Sequence, residues 1–382
     1  MKAIITGGGT GGHLSVAKAF LDEFTNRGFK CVFIGSSGGQ DKEYFKKDSS
    51  FLKAHFLKTQ GVVNKKGFAF FTSIFKQFKA FLEALRILRE FKPDFIISVG
   101  GYSAAPASFA AVFLRIPLII HEQNAQIGRL NRVLKNKATI FFSSYLKESP
   151  VHFYPTRLEF FKKARVRDDI KKVLFMGGSQ GAKAINSFCL SAAESLVRDG
   201  IFILHQCGKS DFLRVAREYL ELPLKVGILK DGILQSDLEI LQKDSNLALL
   251  DNLDSSDSSV DVLLFAFSDK MPEILSISDF AVCRAGASSL WELCAGGIPA
   301  LFVPYPYAAG NHQYYNAKFL EDKGLGFICL EQDLFLEVLQ KAIDFTKENI
   351  KEISQNLQKE CAKDATKQMC NTILEKLQSK KG

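Results

Sequence analysis

KAIITGGGTGGH, residues 2–13, is the stretch whose reading decides the fold. An apolar run, Lys2 to Thr6, ends in the glycines of GGGTGGH (Gly7 to His13), and an apolar-periodic segment, Leu14 to Phe24, follows. Strand, glycine turn and helix in that order open a βαβ unit. Gly28 ends the helix, and KCVFIG (30–35) makes the next strand. The long helical pattern 72–91 then leads to a strand at 95–99, the turn GGYSAAP (100–106), a helix to about Leu114 and a strand at 117–121. Such alternation predicts a parallel sheet with helices on both faces.

The same grammar restarts at Lys172. KVLFM (172–176) runs into GGSQGA (177–182), then a helix to about Val197 and a strand at 202–206. A strand at 280–284, the turn AGASS, a helix from Leu290 and a strand at 300–303 complete the series. The fold class is α/β, with two Rossmann-like domains joined near 150–165, where strand patterning lapses around Pro150 and Pro155. The stretch 228–261 breaks the pattern: it ends in LDNLDSSDSSVD and reads as a solvated surface insertion.

Composition agrees with this frame. The chain has 382 residues, 47% apolar and 24% charged, which suits globular domains and excludes a collagen, a coiled coil or a disordered tail. At ~100–200 residues per domain the length allows two. Eight scattered cysteines without a C-x-x-C pair point to buried, reduced thiols, with neither a disulfide framework nor a zinc site. No secretory signal peptide is expected, since the first strand passes straight into glycines. Phe95 to Leu114 carries no charge over twenty residues, but Gly100, Gly101 and Pro106 make it strand, turn and helix rather than a membrane span. Charge is uneven: residues 1–150 hold 22 Lys+Arg against 10 Asp+Glu, and residues 151–382 hold 28 against 31. The first half therefore has reason to meet something anionic.

A strand ending in glycines at a helix start brings backbone N–H groups and the positive end of a helix dipole to one point, which suits phosphate. Gly7, Gly9 and Gly12 satisfy G-x-G-x-x-G, yet the acid that should hold a dinucleotide ribose ~20 positions on is missing. The second strand ends in FIGSSGG, and the first acid, Asp41, comes too late. Turns built for packing alone could explain one glycine cluster, hardly three or four in equivalent places. HEQN (121–124) sits at the carboxyl end of a strand, where open α/β sheets bind ligands. CRAGASSLWE (283–292) and GNHQYYNA (310–317) combine a turn or cap with polar side chains. Taken singly, each has a bland alternative: Glu292 as a first-turn acid complementing its helix, the amides as caps, and Arg157 of YPTR as a surface arginine.

GGTGGH, GGYSAAP, HEQN, GGSQGA, CRAGASSLWEL and HQYYNA, in this order and spacing, resemble the MurG family. The likeness runs from residue 1 to beyond 320, and six motifs in register make it specific. It implies the GT-B fold, two Rossmann-like domains facing a cleft, and transfer of N-acetylglucosamine from its UDP form to the 4-hydroxyl of undecaprenyl-pyrophosphoryl-N-acetylmuramoyl-pentapeptide (lipid I), giving lipid II of peptidoglycan. It further implies an acceptor and membrane domain over 1–157, a donor domain over 158–352, and a helical segment, 353–382, returning to the first domain. By the same resemblance, Thr10, Gly11 and Gly12 approach the donor sugar and phosphates, with Asn124 lining the same cleft. Arg157 and Ser179 contact the nucleotide sugar, and the backbone of Ser268 holds uracil. Ala287, Ser288, Ser289, Leu290, Trp291 and Glu292 surround the ribose and diphosphate, with Glu292 accepting from ribose hydroxyls. Gln313 reads hydroxyls of N-acetylglucosamine. Trp291 stands where a small residue is usual, Ser289 where threonine is common, Gly310–Asn311 where a charged pair often precedes HQ, and YPTR lacks the usual glycine–asparagine start.

The implied reaction inverts the anomeric carbon as UDP leaves. Turns at Ser179–Gly181 and Ala285–Ser289 would take up the leaving charge, so no essential divalent ion and no cofactor is expected. His13 is the favoured general base and Glu122 the alternative. A UDP-sugar epimerase, or a GT-B transferase with a soluble acceptor, is the main rival. A nucleic-acid-binding module would rest on the basic half alone and leave the glycine turns unexplained. Residues 64–92 hold seven basic against two acidic residues, interleaved with phenylalanines. Positions 74, 78, 81, 85 and 88 read as core, and Phe68 to Phe71 beside Lys65 and Lys66 as an insertion into an anionic membrane. The expected place is peripheral, on the cytoplasmic face of the bacterial inner membrane, within reach of other cell-wall synthesis proteins.

Overall fold

The computed structural model describes residues 1–46, 48, 50–61, 68–178, 181–229, 248–250 and 260–379, without the side chains of 68–70 and 248–250. They form two compact units, Met1–Arg157 with Ala362–Gly382, and Leu158–Cys361.

The first unit is built on six parallel strands: β1 (Lys2–Thr6), β2 (Lys30–Ser36), β3 (Lys53–Leu57), β4 (Phe95–Ser98), β5 (Leu118–Glu122) and β6 (Ile140–Ser143). Their order is β3-β2-β1-β4-β5-β6, so the chain reverses direction of travel between β1 and β4. Ile4, Ile5, Ile96, Ile97, Ile119 and Ile120 are wholly buried, as a sheet covered on both faces requires. Helix Phe68–Phe91 packs on helix Ala105–Phe113, and the C-terminal helix Ala365–Gln378 packs on helix Gly11–Asn26. Arg27 fastens that last contact, donating to Asn371 Oδ1 at 2.8 Å. The C-terminal segment expected from 353 is therefore divided: helix Leu336–Lys359 lies in the second unit, and the chain joins the first only from Ala362.

In the second unit the strands are β7 (Lys172–Met176), β8 (Phe202–Gln206), β9 (Val226–Leu229), β10 (Ala248–Leu250), β11 (Val262–Phe265), β12 (Phe280–Cys283), β13 (Ala300–Phe302) and β14 (Phe327–Ile328). They run β10-β9-β11-β8-β7-β12-β13-β14, again parallel, and the reversal falls between β7 and β12. Two expectations are corrected here. The stretch 228–261 is no continuous surface insertion, because β9 reaches Leu229 and β10 pairs with it in parallel register, Leu249 opposite Ile228. Residues 230–247 and 251–259 lie outside the described residues.

The second correction concerns helix Phe68–Phe91. Its buried stripe is Ser73, Ala80, Ala84, Leu85, Ile87 and Leu88, whereas Ile74 and Phe78 are 44% and 56% exposed. Small residues let the helix lie close to its neighbours, and this turns Phe78 outward, while Phe81 packs partly buried against the core as expected. Phe71, Phe75 and Leu82 share that outer surface, with Phe109 and Phe113 of the neighbouring helix also exposed.

Candidate functional sites of the two units

In an open parallel sheet, ligands bind beyond the carboxyl ends of the strands where the strand order reverses. Both reversals carry glycine turns on either side. In the first unit, Gly7–Gly9 follow β1 and Gly100–Gly101 follow β4. In the second, Gly177–Gly181 follow β7 and Ala285–Gly286 follow β12.

The first turn needs its glycines. Gly7, Gly8 and Gly9 have φ of +131°, +154° and +88°, which side chains rarely tolerate. Gly8 N–H donates to Gly100 O at 3.2 Å, tying the two turns together. Thr10 then occupies the N-cap position of helix Gly11–Asn26, whose first residues include Gly11 and Gly12. His13, half-buried, sets Nδ1 2.8 Å from the Thr10 hydroxyl. Its other edge lies over Gly100, where an added Cβ would stand 3.3 Å from both Cδ2 and Nε2.

HEQN closes the same end of the sheet. Glu122 is almost wholly buried, and its carboxylate accepts from Asn124 N–H (3.0 Å), Gly128 N–H (2.9 Å) and Asn131 Nδ2 (2.8 Å). Such a set of donors makes it the organiser of the loop 123–128; a general base would need an oxygen turned toward an incoming hydroxyl. Gln123 donates to Val99 O at 3.0 Å and so ties the loop to β4. His121 lies beneath, edge-on to Phe20 and Tyr154, with neither ring nitrogen hydrogen-bonded. Burial, and then the charge of nearby His13, hold its pKa down to about 3, so it stays neutral. Asn124 and Arg157 are both half-buried, the latter as the last residue of the unit's first segment.

In the second unit, Ser179 lies outside the described residues. Its turn is nevertheless anchored: Gly181 N–H donates to Gly178 O at 2.9 Å, and buried Gln206 donates from Nε2 to both Gly178 O and Ala266 O at 3.0 Å. One amide thus links the turn after β7 to the backbone leading to Ser268. Ser268 is buried beyond the end of β11, and its hydroxyl accepts from Lys270 N–H at 3.0 Å. Helix Ala287–Gly296 sorts its motif by face. Ser288, Ser289 and Glu292 are half-buried, and Glu292 lies four residues after Ser288 and three after Ser289, so it neighbours each of them on the helix surface. Ala287, Leu290 and Trp291 are buried instead, Trp291 with its ring 5.8 Å from that of Phe319. The side chains of Leu290 and Trp291 thus form the apolar stripe by which the helix docks on the core, while the segment 287–292 keeps its expected place around ribose and diphosphate as a reading by resemblance. Gln313 opens helix His312–Glu321 and accepts from Tyr305 N–H at 2.9 Å through Oε1, which leaves its NH₂ as the group able to meet a hydroxyl. Asn316 donates to Ala285 O at 3.1 Å, holding the β12 turn.

Sequence reasoning did not single out Asn131, Gln206 or Asn316. Gln206 had a signal, a polar residue ending an apolar strand; Asn131 had none. Among the described residues no three His, Cys, Asp or Glu side chains gather to hold a metal ion.

Comparison with known proteins places these features in a family. The glycosyltransferase family 28 N-terminal domain matches residues 3–143, and the family 28 C-terminal domain matches 172–230 and 237–370. A Wolinella succinogenes protein named UDP-N-acetylglucosamine–N-acetylmuramyl-(pentapeptide) pyrophosphoryl-undecaprenol N-acetylglucosamine transferase is 44% identical over 98% of this chain and 100% of its own length. A Helicobacter pylori protein of the same name is 43% identical over 98% of this chain and 99% of its own. Among solved structures, Acinetobacter baumannii MurG superposes with a TM-score of 0.71 at 26% identity, covering 98% of this chain and 99% of that one. A Neisseria meningitidis UDP-GlcNAc 2-epimerase, at 14% identity, TM-score 0.59 and coverage of 98% of this chain and 100% of its own, shares the fold alone.

Proposed function

Since the chain belongs to glycosyltransferase family 28, we infer that it is a UDP-N-acetylglucosamine-dependent transferase of the GT-B class, acting in peptidoglycan synthesis. It transfers N-acetylglucosamine to lipid I and yields lipid II. The observation that carries this is the 44% identity over nearly the whole of both chains to a relative named for that reaction.

The second unit holds the donor. Gln206 sets the turn after β7 and the backbone at Ser268 for diphosphate and uracil, Ser288 and Ser289 line the helix start, Glu292 takes the ribose hydroxyls, and Gln313 reads the sugar. Ser179 and Arg157 remain assigned to the nucleotide sugar on resemblance. The first unit meets the acceptor, whose diphosphate comes to the glycine turn; Thr10, Gly11, Gly12 and Asn124 remain assigned to the donor sugar on resemblance. In the reaction the acceptor 4-hydroxyl oxygen bonds to the anomeric carbon as the bond to the UDP oxygen breaks. His13 removes the hydroxyl proton, and the second unit's turns stabilise the charge gathering on UDP. Glu122 shapes the loop beside it. His13 is preferred because Thr10 fixes its ring, whereas the oxygens of Glu122 are already engaged.

The exposed surface of Phe71, Ile74, Phe75, Phe78 and Leu82, edged by the exposed Lys76, Lys79, Arg86 and Arg89, supports peripheral binding to an anionic membrane. No helix among the described residues is long and apolar enough to cross one. We place that surface on the cytoplasmic face, where lipid I and other cell-wall synthesis proteins would meet it. Release of UDP from UDP-N-acetylglucosamine only when lipid I is present tests the function. Epimerised sugar without acceptor would overturn it.

A further inference from the structure

Asp41 stands too late in the sequence to serve a dinucleotide ribose, and no motif contains it. In the fold it is wholly buried beneath the first glycine turn. Ser36 N–H, at the end of β2, donates to its Oδ2 at 2.8 Å, and Gly9 N–H donates to Oδ1. The carboxylate fills a cradle that side chains would close. A Cβ on Gly35 would stand 2.9 Å from Oδ2, and one on Gly8 would overlap the carboxylate itself. Burial raises the Asp41 carboxyl above its ordinary range, against the opposing pull of the Ser36 and Gly9 donors. A carboxyl kept at such a place is costly unless it holds something in position.

We propose that Asp41 is a positioning residue for the transfer: by taking the N–H groups of Gly9 and Ser36 it holds the first glycine turn open, so that the start of helix Gly11–Asn26 can receive the diphosphate of lipid I. With Gly8 tied to Gly100 and Gly9 tied to Asp41, the turn is fixed at two successive residues before the helix begins. This rests on the reading of that turn as the acceptor's diphosphate site.

The test is Asp41→Asn in the full-length enzyme. The amide keeps the shape but sets an NH₂ against one of two N–H donors. Steady-state kinetics should be run with lipid I and UDP-N-acetylglucosamine varied in turn, beside calorimetric UDP binding and a melting curve. The expected result is a rise of about tenfold or more in KM for lipid I, the scale of one charge-assisted hydrogen bond, with UDP affinity unchanged. A folded variant whose KM for lipid I stays within about twofold of the parent overturns the proposal. A rise in donor KM alone overturns its premise, leaving Asp41 as a clamp on a donor-binding turn. Should Asp41→Asn not fold, hydrogen exchange on the unaltered enzyme decides: a protected Gly9 amide supports the clamp, and exchange at open-loop rates overturns it.

Discussion

His13 and Glu122 present the two acid–base candidates of the first unit in different states of engagement. The imidazole is half-buried with Nδ1 at the Thr10 hydroxyl, whereas the carboxylate is enclosed by N–H donors. His13→Ala should lower turnover by ~10²–10⁴ with melting temperature and both substrate affinities kept. Glu122→Gln should behave differently, because an amide NH₂ must face at least one of those donors. It should lower the melting temperature, with a loss of ~1–3 kcal/mol for the unsatisfied group, and reduce activity in step. If Glu122→Gln instead abolished turnover at unchanged stability, with the acidic limb of the pH profile lost, the base would be Glu122.

Elements sort residues that sequence motifs lump together. Within ASSLWE the helix turns Glu292 to one side and Trp291 to the core, so the two substitutions should separate cleanly. Glu292→Gln should weaken UDP binding by ~1.5–3 kcal/mol in calorimetry while the fold stays intact. Trp291→Ala should cost ~3–5 kcal/mol of stability in denaturant unfolding and leave the donor KM of the surviving folded enzyme unchanged. The helix Phe68–Phe91 gives a parallel case. Its apolar spacing announces an amphipathic helix, but which stripe is buried depends on Ala80 and Ala84 fitting closely against the rest of the unit. Phe75→Glu with Phe78→Glu should abolish flotation with anionic vesicles, since each basic neighbour contributes only ~1 kcal/mol near the surface. Undiminished flotation would move the membrane contact elsewhere.

Across the molecule, each unit encloses a fully buried neutral histidine. His121 lies in the first, and His205, held by Tyr219 at 2.9 Å and Asn186 at 3.2 Å, lies in the second. Burial is the leading cause that depresses each pKa to about 3. Below the unfolded value of ~6.5 the unfolded chain takes up protons that the folded chain refuses. Stability contributed by these groups is therefore complete above ~6.5 and declines as pH falls toward the folded values, by up to ~1.4 kcal/mol per pH unit for each histidine. Urea midpoints measured from pH 7 to 4 should fall accordingly. A flat profile would mean that both rings titrate normally.

The sequence by itself determined the parallel α/β class, the two-domain plan, the glycine turns and the family, because strand–glycine–helix punctuation and motif order are local and linear. It also offered Glu292 and Gln313 as candidates for binding, since both stand in motifs that are read along the chain. Tertiary structure alone decided the rest. That Asp41 lies under Gly9, that Gln206 joins two turns, and that Glu122 is enclosed by donors depends on strands distant in sequence meeting at one end of a sheet. That β10 belongs to the second sheet depends on its pairing with β9, for which its three residues give no pattern long enough to read. Which side of a helix is buried follows from the shape of its partner, and periodicity supplies the stripe without saying what it meets.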